Sequence, residues 1–308
     1  MGKLLEGKVV LVTGGGRGVG RDIALQAGES GARVMVSDVG TSITGDGADT
    51  TVAAEVAEEI RAAGGEASFC SASVTDRPAV RAMVEQCLDE LGGLNHVVNN
   101  AGILRDRMFH RMSDEEWDAV IDVHLNGAFN VSHAACEQFR KQNSGSMLHM
   151  TSTAGLIGNL GQANYSAAKM GIIGLSRSIS IDMARSNVRS NCLAPFAFSR
   201  MTNTIPTKGS AQNPDEAPYL EKIKKMASEK IAPLVIALGS DQASDVTGQI
   251  FAVRSNEIFL ISQPRPLRSV HRSEGWTPET VLDHAIPSMR ASFYDADTSR
   301  DVFNWDPI

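Results

Sequence analysis

Residues 8–31, KVVLVTGGGRGVGRDIALQAGESG, constrain the fold more than any other stretch of the chain. They open with a short β-branched run, the composition of a strand buried on both faces. The run stops at glycines, and the next segment carries helical spacing up to another glycine stop. Strand, glycine turn and helix in that order make half of a βαβ unit, and its apolar faces need further units to cover them.

The chain supplies them. ARVMVSD reads as a second strand, TVAAEVAEEIRAAGG as a helix and EASFCSA as a third strand. DRPAVRAMVEQCLDELGG follows as a helix opened by Asp76, with Pro78 in its first turn. LNHVVNNAG (strand), SDEEWDAVIDVHLNGAFNVSHAACEQFRKQ (one long helix), GSMLHMTS (strand), ANYSAAKMGIIGLSRSISIDMARS (long helix) and NVRSNCLAP (strand) continue the alternation. Such alternation predicts an α/β fold, a Rossmann-type doubly wound parallel sheet over residues 1–262. After Pro195 regularity is lost, and residues 196–230 are expected to be an irregular substrate lid. GQIFAVRSNEIFLIS reads as a strand pair or a strand that turns at Ser255-Asn256, and residues 263–308 as an extension packing on the body or on a partner subunit.

Composition excludes several function classes. Lys and Arg number 29 against 36 Asp and Glu, a net charge of -7 without a block of basic residues, so a nucleic-acid partner is not expected. No apolar run of about 18 residues and no signal-peptide pattern occur, and WDPI is not a peroxisomal targeting tripeptide. The four cysteines, Cys70, Cys87, Cys136 and Cys192, lie far apart, which suits reduced, buried thiols. The expectation is a cytoplasmic protein with no membrane association and no metal centre.

The candidate chemistry begins at TGGGRGVG, Thr13 to Gly20. At the junction of a strand and a helix, Gly14 suits a tight turn, Gly18 the close approach of a pyrophosphate, and Gly20 the packing of helix on strand. Asp38 closes the second strand, 24 residues beyond Gly14, where a carboxylate can accept hydrogen bonds from a ribose 2'-hydroxyl and would repel a 2'-phosphate. That favours NAD over NADP; Arg17, in the same loop, is a cation that could meet a 2'-phosphate. Tyr165 and Lys169 are four residues apart on a helix, so they return to nearly the same face and can share one cleft.

These features, in order, resemble the short-chain dehydrogenase/reductase family: Thr13-Gly14-Gly18-Gly20, Asn99-Asn100-Ala101-Gly102, Ser152 thirteen residues before Tyr165, and Tyr165 with Lys169. The resemblance is closest to the (3R)-hydroxyacyl-CoA dehydrogenase domain of peroxisomal multifunctional β-oxidation enzymes. NNAGILRDRMFHRMSDEEWDAVIDVHLNGAF, GNLGQANYSAAKMGIIGL, SRMT and the insert GTSITGDGADTTVAAEVAEEIRAAGGEA carry it across residues 3–255, and WTPETVLDHAIPSM more loosely. It implies NAD-dependent oxidation of a (3R)-hydroxyacyl-CoA to the 3-oxoacyl-CoA. A hydroxysteroid or an acyl-carrier-protein-linked thioester stays open as the substrate. A dinucleotide-sensing module without catalysis is the reading of a different class. The family's members are commonly homodimers or homotetramers built on the two long helices, so a homo-oligomer is expected.

By resemblance the catalytic residues are Ser152, which holds the substrate oxygen, Tyr165, the base, and Lys169, whose ammonium favours phenolate and binds the nicotinamide ribose. The cofactor residues are Gly14, Arg17, Gly18, Val19, Gly20, Asp38, Ser73, Val74, Asn100, Ala101, Gly102, Tyr165, Lys169, Pro195, Ser199 and Thr202. The chain departs from the family where a relay Asn is usual: His124 stands there, with Asn126 two residues on. His124 is open between a proton relay and a core histidine bonded to a backbone carbonyl. Ser73 stands where many members have an Asp facing adenine, and Phe196 where a Gly follows Pro195. Arg105, Asp106 and Arg107 are read as a solvated or subunit-contact ion pair, with a CoA phosphate as the alternative. Lys222, Lys224 and Lys225 are further candidates for CoA phosphates, and Met201 and Phe196 for an acyl channel or for packing.

Overall fold

The computed structural model describes residues 3–197 and 226–307. Eight strands form one sheet in the order β3-β2-β1-β4-β5-β6-β7-β8: β1 (Val9–Thr13), β2 (Arg33–Ser37), β3 (Glu66–Cys70), β4 (His96–Asn99), β5 (Gly145–Met150), β6 (Val188–Phe196), β7 (Ile250–Arg254) and β8 (Glu257–Leu260). β1 to β7 are parallel, and β8 returns antiparallel on β7 through a turn at Ser255, whose φ is 55°. Strand order reverses between β1 and β4, which opens a crevice at their carboxyl ends, the place where open α/β sheets take ligands.

Strand alternation explains the two layers. Val10 and Val12 point to one face, with α1 (Gly18–Glu29), α2 (Thr51–Ala62) and α8 (Ala232–Gly239) packed on it through Ile23, Ile60 and Val235. Val9 and Leu11 point to the other, where α3 (Arg77–Leu91) and α5 (Gly127–Gln142) contribute Met83, Val131 and Phe139. All four β1 valine and leucine side chains are fully buried, each worth roughly 1.5–3 kcal/mol of apolar transfer. The Asp76 carboxylate caps α3 by accepting from the Ala79 amide at 3.1 Å.

The long helix expected over residues 113–142 runs from Asp114 to Gln142 with a π turn inside it. α4 (Asp114–Ile121) runs through a π turn, Asp122–Asn126, into α5, and His124 lies inside that turn. Wider i to i+5 turns of this kind reposition side chains and recur at functional sites. α6 (Thr153–Leu156) is one short turn after β5, and α7 (Ala163–Asp182) carries Tyr165 and Lys169. Among the cysteines Cys87 and Cys192 are buried, but Cys70 and Cys136 are only half-buried, so the expectation of four buried thiols holds for two.

The segment 297–306 returns to the body. Arg254, almost fully buried, is paired with Glu257 at 2.7 Å, stacks 4.5 Å from the Trp305 ring and donates to the Trp305 carbonyl at 3.0 Å. Phe303 meets Phe196 edge to face at 4.8 Å, and the Ser299 amide donates to the Gly158 carbonyl. Among the described residues no helix is long and apolar enough to cross a membrane, and no group of three His, Cys, Asp or Glu could hold a metal.

Candidate active site

The glycine loop is shaped to lie against a bulky group. Gly14 has φ +63°, and a Cβ on Gly20 would lie 2.1 Å from the Gly14 carbonyl oxygen, so this contact of helix on loop requires glycine. Gly18 has φ +54° with open space beside it. The first turn of α1 holds no acidic side chain, leaving its amides to face an anion. Thr13 ties the loop to the next strand: its hydroxyl donates to the Val98 carbonyl at 3.2 Å and accepts from the amides of Asn100 (3.1 Å) and Ala101 (3.3 Å). The Asn100 amide group donates to the carbonyls of Thr13 and Gly14. Thr13 joins the site residues beyond those expected from the motif, and its hydroxyl beside the glycine turn is the sequence signal for it.

At the end of β2, Asp38 accepts from the amides of Gly16 (2.8 Å) and Gly40 (2.7 Å), which fixes its carboxylate at the edge of the crevice. Arg17 is paired with Asp49 at 3.0 Å. Val19 packs on the core from α1. Ser73 hydrogen-bonds Thr75, while Val74 is buried beside Gly127 and packs in the core, the commoner role for a valine. Pro195 pairs with Val253 in the sheet. Ser199, Thr202, Met201, Lys222, Lys224 and Lys225 lie outside the described residues, as does most of the expected lid. The glycine cradle, the free amides at the start of α1 and the fixed Asp38 carboxylate together fit a dinucleotide.

Ser152, Tyr165, Lys169 and His124 converge beyond β5. Ser152 caps α6, its hydroxyl accepting from the Ala154 amide at 3.2 Å, and its side chain is also the hydrogen-bond partner acting on the Tyr165 phenol. The Lys169 ammonium donates to the Met150 carbonyl at 2.6 Å and lies 5.5 Å from the centre of the Tyr165 ring. The Thr151 hydroxyl donates to the Lys169 carbonyl at 2.7 Å, and a Cβ on Gly155 would lie 2.8 Å from the Lys169 Cβ. These contacts dock the middle of α7 on the end of β5, which is how residues thirteen apart come to face each other.

Burial dominates the electrostatics. It pushes the Tyr165 phenol up to about 12, against the opposing pull of Ser152, and Asp106 raises it further. The Lys169 ammonium beside the Tyr165 ring is held by the Met150 carbonyl, and burial brings its own pKa down to about 7. Asp106 itself is raised by burial and accepts from the Gln162 side chain at 2.8 Å.

His124 is fully engulfed, with its ring edge to face with Tyr165 at 5.2 Å. Its Nε2 is 2.8 Å from the Ile103 carbonyl, the partner expected of a core histidine, and 3.1 Å from the Ile103 amide nitrogen. Burial, then the charge of Lys169, holds its pKa well below the usual imidazole value. Among the described residues its Nδ1 and the Asn99 Oδ1 have no hydrogen-bond partner. Both residues line a cavity of about 10 Å³, near the room one water needs, together with Thr13 and Lys169. Asn126 is bonded to Asp122 instead. A Cβ on Gly102 would lie 2.3 Å from His124 Cε1, so this glycine admits the imidazole.

The charged residues 105–107 find partners within the chain: Arg105 with Asp46, Asp106 with Gln162 and Arg107 with Glu116 at 2.9 Å.

Comparison with known proteins agrees with this geometry. The short chain dehydrogenase family model matches residues 8–210. The peroxisomal multifunctional enzyme type 2 of Mus musculus is 41% identical over 91% of this chain, though the match spans only 36% of that longer protein. A short-chain type dehydrogenase/reductase of Mycobacterium tuberculosis is 41% identical over 84% of this chain and 86% of its own length. The crystal structure of a short chain dehydrogenase from Mycobacterium avium superimposes with a TM-score of 0.81 at 34% identity, covering 95% of this chain and 97% of that one. With the Ser152, Tyr165 and Lys169 cluster set beside the glycine loop, these likenesses show that the chain belongs to the short-chain dehydrogenase family.

Proposed function

We propose that the protein oxidises a (3R)-hydroxyacyl-CoA to the 3-oxoacyl-CoA with NAD. The observation that carries the reaction class is the convergence of Ser152, Tyr165 and Lys169 at the carboxyl end of β5, one strand from the dinucleotide crevice. The acyl-CoA reading is supported by the motifs shared with multifunctional β-oxidation enzymes and by the likeness to the mouse protein.

Bound in the crevice, NAD supplies the hydride acceptor and a positively charged ring. Gly14, Gly18 and Gly20 would hold its pyrophosphate and Asp38 its adenosine ribose. The Ser152 hydroxyl holds the substrate oxygen, and Tyr165 takes the hydroxyl proton. A phenol near 12 is a poor base at neutral pH, so positive charge around it must favour the phenolate for the step to run. The NAD preference is supported by Asp38 and by Arg17, whose guanidinium is committed to Asp49. A homo-oligomer is supported by exposed apolar residues on the long helices, Phe129 on α5 and Met170 and Ile181 on α7; free cysteines suit the cytoplasm.

The test compares initial rates on (3R)- and (3S)-hydroxyacyl-CoA and on a hydroxysteroid, each with NAD and NADP, by reduced-cofactor absorbance. The (3R) thioester with NAD is expected to win by at least tenfold. A clear preference for the (3S) thioester, the steroid or NADP would refute the corresponding part of the reading.

His124 is read as the relay residue: Nε2 is held by the Ile103 backbone, and Nδ1, without a partner among the described residues, is left for the cavity that Lys169 lines. His124→Ala is expected to slow kcat about tenfold or more, a part of the 10²–10⁴ that positioned acid–base groups provide. Added imidazole should recover much of that rate. A packing role alone predicts a loss that imidazole leaves untouched.

A further inference from the structure

The connection from β2 to α2 is longer than a turn requires, and its path is unusual. Its two ends are clipped together: the Asp49 amide donates to the Val39 carbonyl at 3.0 Å, and the Gly40 amide to the Asp38 carboxylate. A Cβ on Gly40, whose φ is +74°, would fall 2.0 Å from the Asp49 carbonyl oxygen. Between the clips the chain makes a compact loop with closed ends, of the Ω type. Its tip is self-bonded, Ser42 amide to Asp46 carbonyl at 2.8 Å and Thr44 hydroxyl to the Asp46 carboxylate at 2.7 Å.

That tip does not stay over β2. The Leu104 amide donates to the Ile43 carbonyl at 2.9 Å, Arg105 Nε donates to the Thr44 carbonyl at 2.9 Å, and Arg105 is within 3.6 Å of the Asp46 carboxylate. A Cβ on Gly45 would touch the Ile103 side chain at 3.2 Å. Leu104 and Arg105 follow β4, and β1 lies between β2 and β4 in the sheet. The loop therefore passes over the carboxyl end of β1, where the Thr13–Gly20 turn forms the floor of the crevice. On the near side, the Arg17–Asp49 pair joins that floor to the loop's base.

We propose that residues 40–49 are a strap closed over the dinucleotide groove, and that Arg105 is a positioning residue that fastens its tip, so that the cofactor leaves only when the contacts to Ile43, Thr44 and Asp46 break. The inference rests on the dinucleotide reading given above. Arg105 acts through the strap and touches neither substrate nor reacting atoms. Both partners of its ion pair reach solvent, so opening is a local event that leaves the core packing of α1 and β2 undisturbed.

The experiment is stopped-flow displacement of NADH by excess NAD, read by NADH fluorescence, on the full chain. Arg105→Ala is expected to raise the NADH dissociation rate about five- to tenfold and to raise KM for NAD without lowering kcat, with Arg105→Lys intermediate. A second variant, in which residues 41–48 are replaced by two glycines, should release NADH faster still. Circular dichroism melts of each variant check that the fold is kept. Dissociation rates within twofold of the parent for both Arg105→Ala and the shortened strap would overturn the proposal. A parent protein that binds no NADH would instead overturn the dinucleotide reading on which it rests.

Discussion

Tyr165→Phe is expected to lower kcat for a (3R)-hydroxyacyl-CoA by about 10³-fold, within the 10²–10⁴ span of positioned acid–base groups. NADH affinity should stay within about threefold. The change removes one oxygen from a ring that is half-buried and packed edge to face with His124, so the site keeps its shape while losing its proton acceptor. Ser152 retains its bond from the Ala154 amide, which keeps α6 capped. Because the phenol is pushed up to about 12, the parent's oxidation rate should climb with pH across the neutral and alkaline range, and Tyr165→Phe should lose that climb. The measurement is a kcat profile from pH 6 to 10 for both proteins, with NADH titration as the control. A variant that keeps more than a tenth of the parent rate would remove Tyr165 from the base role.

Lys169→Met is expected to lower kcat by about 10³-fold as well and, unlike the tyrosine change, to stabilise the protein at low pH. Lys169 is buried, and burial brings its pKa from the ordinary lysine value of 10.5 to about 7. Below pH 7 the ammonium is charged in both the folded and the unfolded chain, and the folded state bears the full desolvation cost. Between about 7 and 10.5 the unfolded chain binds more protons than the folded one, so parent stability rises with pH through that window. Above it the cost is gone. Methionine fills a similar volume without a charge, but leaves the Met150 carbonyl without its donor, an offset of about 1–3 kcal/mol. The net advantage of the variant at pH 6 is therefore roughly 2–4 kcal/mol, shrinking toward pH 10. Urea denaturation at pH 6 and pH 9.5 measures both ends. A variant less stable than the parent at pH 6, or a gap that widens with pH, would mean that Lys169 is not held against a desolvation cost. A buried charge kept at a cost to stability is what a functional site exhibits when activity and stability compete.

The fold was legible because its signals are local and repeated. Most strands in the first two thirds of the chain are short apolar runs bounded by turn residues, and α3 carries its own cap and stop at Asp76 and Gly92. The glycine loop, Asp38, Ser152, Tyr165 and Lys169 were legible because the chemistry restricts both residue type and spacing. The π turn inside the long helix was not: it adds no marker residue, and the neighbours of its His124, Gly102 and Tyr165, come from distant parts of the chain. Nor could the sequence show that burial would push the phenol up, since desolvation depends on everything packed around the group.

Residues 105–107 mark the boundary between the two kinds of information. From sequence they were three charged residues in a loop, with a CoA phosphate or an ion pair as readings. In the structure each meets a partner from another element, and Arg105 reaches across the crevice to the insert after β2. The sequence by itself determined the alternating architecture, the glycine loop and the side chains proposed as catalytic, because these are written in local periodicity and in residue types that few substitutes can replace. Only the tertiary structure decided the environment of those side chains and the path that brings residues 43–46 to Leu104 and Arg105. Burial, ion pairing and loop path are set by residues far apart in the chain, which meet only when the sheet is assembled.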